Sequence, residues 1–305
     1  MNRNSFLKPE NTLAIINGKK SRQKEIRNLL GIMKQEGINI KITHEPGDAT
    51  TFAAKAKDFK TLVAVGGDGT LFEIINGMDL NLQQVGLIPA GTVNCIAHFM
   101  KYKGVLDAYN KLQSGKIQEV DLITVKLYKT SGIFYKKLFL GFLAAGHLAG
   151  LTNIAGKFSI FPKILRYSIA TLLNTLFLSK IECTIKIGNR VDEEKTITSF
   201  IINNGFSHFF SFVPSWTLYD GTVEIEAVKR TRPVQFVYNF NRILPVFHSR
   251  SWQSGINTIE CTFKKPQSIM GDGELFRGIK KIETSILQKK LKICCPSGIE
   301  LAFGK

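Results

Sequence analysis

Short apolar runs alternate with amphipathic stretches over the first 115 residues. The apolar runs predict strands, and the stretches with helical spacing between them predict helices. Strands are predicted at 13–17, 38–43, 61–65 and 85–89, and helices at 22–35, 48–57, 70–78, 92–100 and 104–114. Strands that alternate with helices in this way predict a parallel sheet with crossover connections.

From about Gln118 the pattern becomes β-rich. Strands are predicted at 120–128, 132–143, 181–187, 196–203, 222–229, 256–264 and 291–295, with helices at 163–178 and 233–248. Apolar and acidic residues alternate over 223–227, as in an antiparallel strand with one face in solvent. The fold class is therefore α/β plus β. Residues 1–120 form an α/β domain with a parallel sheet, and residues 121–305 form a mostly antiparallel β-sandwich domain. We expect the C-terminal tail to pack back on the first domain.

The charge balance narrows the possible partners. The chain has 41 Lys and Arg against 24 Asp and Glu, a formal net charge of +17. This excess predicts a polyanionic partner: nucleic acid, an anionic membrane surface or a phosphorylated substrate. No helix-turn-helix, RNP or zinc signature supports nucleic acid. Five scattered cysteines without a CxxC pair are typical of reduced cytoplasmic thiols.

Neither a signal peptide nor a membrane span is predicted. The first twelve residues, MNRNSFLKPENT, contain no long apolar core. The most apolar long stretch, 154–178, is interrupted by Lys157, Lys163, Arg166 and a proline. We therefore expect a cytoplasmic protein that is soluble or peripherally associated with a membrane.

One glycine-rich stretch, GGDGT at 66–70, lies between a predicted buried strand and a predicted helix. Such a junction presents backbone N–H groups and the positive end of a helix, which together bind phosphate oxygens. Gly66, Gly67, Gly69 and Thr70 are the candidate phosphate contacts. Asp68 would repel phosphates unless it faces a divalent cation, organises the loop or accepts a proton. The alternative is a tight turn in which Asp68 caps the helix; a Walker loop is absent.

A second loop repeats this design. AGTVNCIA at 90–97 follows the strand at 85–89 and supplies Gly91, Thr92 and Asn94. Because ligands bind at the carboxyl ends of strands in open α/β sheets, both loops should face one crevice. The first strand ends in NGKKS at 17–21, which brings Lys19 and Lys20 to the same edge.

Five motifs in order resemble those of the diacylglycerol kinase catalytic family, which includes bacterial lipid kinases, sphingosine kinases and ceramide kinases. They are THEPGDA at 43–49, GGDGT at 66–70, PAGTVNCIA at 89–97, YDGTVEIEAV at 219–228 and GDGELF at 271–276. NAD kinases share GGDGT, so the later motifs and their order favour the lipid kinase family. The resemblance extends from residue 13 to about residue 276.

The resemblance implies a two-domain kinase with ATP in the interdomain cleft. It implies nucleotide contacts from Asn17, from Thr43, from the 66–72 loop with Leu71 and Phe72, and from Thr92. It implies Mg²⁺ near Asp220, with backbone carbonyls such as those of Thr217 and Thr222. It also implies a catalytic carboxylate in the GDGE segment.

The chain departs from the family pattern at three places. NGKK stands where Asn-Pro is usual, and His147 follows Gly146 where an acidic residue is common. LYD precedes Gly221 where two acidic residues are common.

Two carboxylates of the GDGE segment, Asp272 and Glu274, are candidate bases for a substrate hydroxyl, with a slight preference for Asp272. Alternating residues of an extended segment point the same way, so both could reach one site. Asp68 is a third candidate, which would orient the hydroxyl or the metal. Taken alone, GDGE is also typical of a hairpin turn. Two apolar regions, 157–180 and 204–216, are candidates for lipid contact or for core packing.

The sequence therefore predicts an ATP- and Mg²⁺-dependent lipid kinase that phosphorylates a primary hydroxyl at an anionic membrane surface. The acceptor, diacylglycerol, a sphingoid base or another lipid alcohol, stays open, as does the oligomeric state. One alternative is a soluble NAD-kinase-like enzyme. The other is a non-catalytic basic protein that keeps the nucleotide-binding fold.

Overall fold

The computed structural model describes residues 6–299 except 92–93, 95, 98–99, 159–160, 178, 189, 205–220 and 229–251. The predicted helix at 233–248 and most of the one at 92–100 lie outside the described residues. The described chain divides into two compact units. The first comprises the residues up to Leu122 and those from Leu287 onward, and the second lies between Ile123 and Ile286.

A parallel sheet forms the centre of the first unit. Its strands are β1 (Thr12–Ile16), β2 (Asn39–Ile42), β3 (Thr61–Gly66) and β4 (Gln84–Pro89), in the order β2-β1-β3-β4. Every residue of β1 and β3 is buried, which explains why their sequences are continuous apolar runs. The end of a later strand, β14, pairs in parallel with β4 through Ile293 and Val85.

In the described part of the first unit, four helices accompany this sheet: α1 (Lys24–Gln35), α2 (Asp48–Lys55), α3 (Asp68–Ile75) and α4 (Val105–Gln113). Ile26, Leu29 and Met33 line one face of α1 and are fully buried in the core of this unit. Burial of each such side chain contributes about 1.5–3 kcal/mol. The same core contains Ala14 and Val63 of the central strands and Leu112 of α4. The sheet therefore holds the carboxyl ends of β1, β3 and β4 at one edge.

The second unit is mostly antiparallel, which confirms the predicted change of architecture. The strands after β4 are β5 (Lys116–Lys129), β6 (Phe134–Phe139), β7 (Phe142–Gly146), β8 (Ile181–Ile187), β9 (Arg190–Ile197), β10 (Ser199–Asn203), β11 (Val223–Val228), β12 (Trp252–Ile256), β13 (Thr258–Gly271) and β14 (Glu274–Cys295). They follow the order β12-β11-β10-β7-β13-β14, with β5 pairing β14 and β6, and β8 pairing β13 and β9. β5 and β14 each have residues in both units.

A helical hairpin packs on the sheet of the second unit. It consists of α5 (His147–Lys157) and α6 (Lys163–Leu176). Its contact with the sheet is built mainly from small side chains, with Ala149, Ala155 and Ala170 against Ala144 and Met270. Helix α6 was predicted from the sequence, whereas α5 was not. Among the described residues, no helix is both long and apolar enough to cross a membrane.

Candidate functional site

The GGDGT loop joins β3 to α3 at the carboxyl edge of the parallel sheet. Gly67 is the N-cap of α3, which begins at Asp68, two residues earlier than the sequence predicts. Gly66 must be glycine, because a Cβ atom there would lie 2.3 Å from the Thr70 Oγ1 atom. The side chains of Leu71 and Phe72 are buried in the core, so only their backbone is available to a ligand.

Asn17, at the end of β1, connects the first strand to this loop. Its Nδ2 atom donates to Thr70 Oγ1 at 3.2 Å, and its Oδ1 atom accepts from the Lys19 backbone N–H at 3.1 Å. Its own backbone N–H donates to the Val65 carbonyl at 2.9 Å. The Asn17 side chain therefore fixes the Thr70 hydroxyl relative to the chain that carries Lys19.

Thr43 is held against the same turn. Its Oγ1 atom accepts from the Gly18 N–H at 3.1 Å, and its own N–H donates to the Ile16 carbonyl at 2.9 Å. A Cβ atom on Gly18 would lie 1.9 Å from the Thr43 carbonyl oxygen. Proline at position 18 would meet that clash and would remove the N–H donor. Asn-Gly at 17–18, in place of the Asn-Pro that is usual in the family it resembles, therefore fits the conformation of this chain.

The second glycine loop packs directly on the first. A Cβ atom on Gly91 would lie 2.5 Å from the Gly67 Cα atom. Asp68 joins the loops, because its Oδ1 atom accepts from the Ile96 N–H at 3.2 Å. Asn94 has a φ of 52°, and its Nδ2 atom donates to the Gly91 carbonyl at 2.9 Å. Within the described residues its buried Oδ1 atom has no hydrogen-bond partner. Thr92 lies outside the described residues.

Most of the nucleotide contacts expected in the first unit therefore lie in one connected cluster. Hydrogen bonds run from Thr43 through Gly18 and Asn17 to Thr70, and Asp68 links the loops. Because the glycines have no side chains, a ligand can closely approach the backbone at the N-terminus of α3. The partial positive charge there favours anions. This combination fits the phosphates of a nucleotide.

The GDGE segment forms the hairpin turn between β13 and β14 in the second unit. Asp272 and Gly273 have φ values of 45° and 87°, and Gly271 pairs with Glu274. Asp272 is thus a turn residue with left-handed backbone. The expectation that Asp272 and Glu274 alternate along one extended segment is wrong for this reason.

The Asp272 carboxylate is buried and accepts hydrogen bonds from three consecutive backbone N–H groups. They belong to Leu140 (2.6 Å), Gly141 (3.1 Å to each oxygen) and Phe142 (3.1 Å). Asn204 binds the carbonyls of the same segment, with its Nδ2 atom 3.0 Å from the Leu140 oxygen. The sequence signal for this cluster is Gly141, which divides the single strand predicted at 132–143 into β6 and β7.

The predicted magnesium ligands are only partly described. Asp220 and Thr217 lie outside the described residues, and Thr222 is partly buried just before β11. The described part of the chain contains no group of three or more His, Cys, Asp or Glu side chains placed to hold a metal ion. His147, which follows Gly146 at the start of α5, is buried with its Nδ1 atom 3.1 Å from Asn174 Nδ2. The magnesium site stays a prediction.

The cysteines in the described part of the chain are buried and free. They are Cys183, Cys261, Cys294 and Cys295. Burial raises the pKa of both the Cys294 and the Cys295 thiols to about 12, so both are protonated at neutral pH. Neither thiol is an activated nucleophile.

These features define a mixed α/β protein with two joined glycine loops at the carboxyl edge of its parallel strands. Residues 11–125 match the family model described as "Diacylglycerol kinase catalytic domain". This match over the first part of the chain agrees with the resemblance drawn from the motifs.

Curated relatives match part of the chain. A Citrobacter koseri protein named "Probable lipid kinase YegS-like" is 32% identical over 123 residues, which are 37% of this chain and 41% of that protein. A Xanthomonas campestris protein of the same name is 34% identical over 99 residues, 29% of this chain and 32% of that protein. These matches span less than half the length of the relatives.

Solved structures match nearly the whole chain in fold. A structure titled as a diacylglycerol kinase from Bacillus anthracis has a TM-score of 0.70 at 20% identity, covering 95% of this chain and 99% of that one. An NAD kinase from Archaeoglobus fulgidus in complex with ATP has a TM-score of 0.53 at 12% identity, covering 95% of each chain. At these identities the likeness shows the fold alone.

Proposed function

We propose that this protein is an ATP-dependent lipid kinase that transfers the γ-phosphate to a primary hydroxyl of a lipid. The observation that carries the proposal is the contact of Gly67 with Gly91, which joins two glycine loops at the N-terminus of α3. It lies within the segment that matches the diacylglycerol kinase catalytic domain. The relatives named as lipid kinases support the choice of acceptor class.

The nucleotide phosphates would bind at the joined loops. Backbone at Gly67, Gly69 and Gly91 can approach phosphate oxygens because no side chain stands in the way. Thr70 and Thr43 hydroxyls are held in place by Asn17 and Gly18 and would contact the nucleotide. Asn94 Oδ1 is an acceptor suited to a nucleotide N–H or O–H group or a metal-bound water.

Magnesium would bind near Asp220, Thr217 and Thr222. When bound, Mg²⁺ would neutralise negative charge on the transferred phosphoryl group. Asp68 has a different role, because its carboxylate fixes the second glycine loop by accepting a hydrogen bond from the Ile96 N–H. Asp68 therefore orders the nucleotide loops whether or not it also faces the metal.

The outer face of α6 supports a membrane-bound acceptor. Leu165, Leu172 and Leu176 recur at seven- and four-residue intervals on this helix, and they are 46%, 50% and 51% exposed. Phe177, directly after the helix, is 75% exposed. The opposite face is buried through Ala170, Asn174 and Thr175. An amphipathic helix with its apolar side in solvent is typical of interfacial membrane binding.

Basic residues flank this apolar stripe. Lys157 and Lys180 are exposed, and Arg166 is partly exposed; the side chain of Lys163 lies outside the described residues. Together with the net charge of +17, they favour an anionic bilayer as the surface that α6 meets. Peripheral membrane association in the cytoplasm is part of the proposal.

Phosphorylation of a lipid panel with radiolabelled ATP tests the function. We expect label in a lipid that bears a primary hydroxyl, with diacylglycerol and a sphingoid base as the first two acceptors to compare. Label in NAD and in no lipid would favour the second candidate, an NAD kinase, for which the fold likeness to an ATP-bound NAD kinase is the supporting observation. Salt-dependent DNA binding with no phosphoryl transfer would favour a non-catalytic nucleotide-fold protein.

A further inference from the structure

A polar cavity lies in the antiparallel sheet of the second unit. Its volume is about 310 Å³, and its walls come from four neighbouring strands, β5, β14, β13 and β8. All the residues that line it belong to the second unit, and none is part of the proposed nucleotide or magnesium site. The volume reaches the lower end of the range for small-molecule sites, about 300–1,000 Å³.

A row of four charged side chains, one from each strand, forms one wall of the cavity. Glu260 of β13 and Glu283 of β14 are directly opposite each other. Lys281 bridges them, with its Nζ atom 3.3 Å from Glu260 and 2.8 Å from Glu283. Lys126 and Lys186 are the two ends of the row, and both are exposed. The row therefore has two carboxylates in the middle and an ammonium group at each end.

The end lysines and Glu260 keep hydrogen-bonding capacity for a ligand. Lys126 Nζ lies 3.4 Å from Glu283 and Lys186 Nζ lies 3.6 Å from Glu260, longer than the about 2.7–2.9 Å of a charge-assisted hydrogen bond. Glu283 is bound by Lys281, Lys126 and the Tyr128 hydroxyl. Both ion pairs of Glu260 use its Oε1 atom. Glu260 Oε2 is therefore the acceptor that the row offers.

Hydroxyl groups line the cavity beside this row. Thr258 and Ser285 are opposite each other, two residues along the strands from the glutamates, so they share the same face of the sheet. Both are exposed. Gly188, with a φ of 56°, follows β8 at the edge of the cavity, and a Cβ atom there would meet nothing within 4 Å. This end of the cavity is open to an entering ligand.

Thr124 has a buried hydroxyl group that needs a partner. The residue lines the cavity and is 8% exposed. Within the described part of the chain its Oγ1 atom has no hydrogen-bond partner. A buried hydroxyl without a partner is destabilising, because it has lost its bonds to water, and most such groups in folded proteins are paired. A ligand in the cavity would supply the missing partner.

The mixture of polar groups selects the chemistry of the ligand. Apart from Ile259, every residue that lines the cavity is charged, hydroxylic or glycine, so the cavity does not suit an apolar ligand. A small anion would meet the two carboxylates, and a small cation would meet the ammonium groups. An alcohol hydroxyl both donates and accepts, so neighbouring hydroxyls of one ligand can bind a carboxylate and an ammonium group together.

We propose that this cavity binds a polyhydroxylated group, either a free sugar or the sugar headgroup of a glycolipid. Glu260 accepts from one ligand hydroxyl, Lys126 and Lys186 donate to others, and Thr124 pairs with the hydroxyl that enters deepest. The site goes beyond the proposed lipid kinase function and does not depend on it. Its tests use the full chain without ATP, so their failure would leave the kinase proposal unaffected.

An NMR titration of the isotope-labelled protein with glucose and with myo-inositol tests the ligand class. Saturable shifts are expected for the amides of 124–126, 186–188, 258–260 and 283–285, whereas inorganic phosphate should not produce them. Absence of these shifts with both polyols would overturn the proposal. Saturable shifts of the same amides with phosphate alone would also overturn it, because the cavity would then be an anion site.

Two substitutions test the named contacts. Glu260→Gln should weaken polyol binding about tenfold or more, because a hydrogen bond to a charged group is lost. Thr124→Val should weaken it several-fold, and without ligand its Tm should be unchanged or higher, because an unpaired hydroxyl is removed. The matched control is Glu182→Gln, which changes a glutamate on the same face of β8 that pairs with Lys264 at 2.8 Å outside the cavity.

The variants can contradict the proposal in two ways. A lower Tm of ligand-free Thr124→Val would show that the hydroxyl has a partner within the protein and would overturn its role. Equal weakening by Glu260→Gln and Glu182→Gln would overturn the role of the cavity. Should Thr124→Val fail to fold, the comparison of these two glutamate variants decides alone.

Vesicle sedimentation identifies the source of the polyhydroxylated group. Vesicles of phosphatidylcholine with and without glucosyl-diacylglycerol are both neutral, so they differ in the sugar headgroup and not in charge. Stronger sedimentation with the glycolipid vesicles, lost in Glu260→Gln and kept in Glu182→Gln, would assign the site to a lipid headgroup. Polyol shifts with no gain on glycolipid vesicles would assign it to a free sugar.

Discussion

Gly91 lies so close to Gly67 that a Cβ atom on Gly91 would be 2.5 Å from the Gly67 Cα atom. The two residues come from different strand-to-helix loops, one after β3 and one after β4. Their contact therefore sets the spacing of the two backbones that we propose to bind nucleotide phosphates. Asp68 reinforces it from the side by accepting the Ile96 N–H. The pair allows a direct test of the site.

Gly91→Ala should weaken nucleotide binding at least tenfold, because the methyl group would force the two loops apart. Gly31→Ala is the matched control, since a Cβ atom there meets nothing within 4 Å on the exposed side of α1. The control should bind nucleotide normally and gain about 0.5–1 kcal/mol of stability from helix propensity. Calorimetric titration with an ATP analogue measures the affinities, and thermal unfolding verifies that both variants fold. Wild-type affinity in a folded Gly91→Ala protein would remove the joined loops from the nucleotide site.

The glycine loops were predictable because their signal is local. The signal is a short apolar run that stops at glycines and continues as a helix. All of it lies within about ten residues of sequence. The strands β1 and β3 were predictable for the same reason, since both faces are buried and every position after the first threonine of each strand is apolar. These two signals sufficed to locate Asn17, Gly66, Thr70 and Gly91 at one sheet edge.

The hydrogen bonds that the Asp272 carboxylate accepts were not predictable, because the N–H groups that donate them lie 130–132 positions away in the sequence. Only the pairing of β7 with β13 brings Leu140 to the turn. Helix α5 was missed because Gly150 and Gly156 lower its propensity, although its buried residues are held by packing against the sheet. Gly150 has a specific reason to be glycine, since a Cβ atom there would lie 2.5 Å from Asn174 Oδ1.

Restoring the family's usual proline at position 18 should damage this protein. Gly18→Pro would place ring atoms near the Thr43 carbonyl, where even a Cβ atom would come within 1.9 Å, and would remove the N–H that binds Thr43 Oγ1. Gly18→Ala keeps the N–H and meets the same clash, so it separates the two effects. We expect both variants to bind nucleotide more weakly, with Gly18→Pro the weaker. Tighter binding by the proline variant would show that Thr43 needs no bond from position 18.

The THEPGDA motif should contribute stability that is lost in acid. The backbone N–H groups of His44 and then Glu45 hold the pKa of the Asp48 carboxyl below its usual value of 3.8. Because the folded-state pKa is lowered, this contribution is complete above the unfolded pKa. It disappears as the pH falls from about 4 through the folded pKa.

The unfolding free energies of wild type and Asp48→Asn should therefore differ at pH 7 and converge below pH 4. Urea unfolding at several pH values measures this difference. Asp58→Asn is a suitable control, because it changes an exposed aspartate of the same unit. A gap between wild type and Asp48→Asn that stays constant down to pH 3 would show that the charge of Asp48 is not what stabilises the turn.

The exposed stripe of α6 should bind anionic membranes. Replacing Leu172 and Leu176 with Gln removes apolar side chains that are half exposed. It should therefore weaken sedimentation with vesicles rich in acidic lipid without reducing thermal stability. Leu82→Gln is the matched control, because Leu82 is 69% exposed and belongs to the first unit, whereas α6 belongs to the second. Reversing the charges of Lys157 and Lys180 should also weaken binding, since each basic residue near such a surface contributes about 1 kcal/mol. High salt should release the wild type, because salt already screens the attraction between charges beyond about 8 Å at physiological ionic strength.

Activity should fall in the α6 variants on vesicle-borne substrate and persist on a short-chain soluble one. Equal binding of wild type to neutral and acidic vesicles would contradict the electrostatic part of this prediction. Unchanged binding after Leu172→Gln with Leu176→Gln would show that this face of α6 does not meet the membrane.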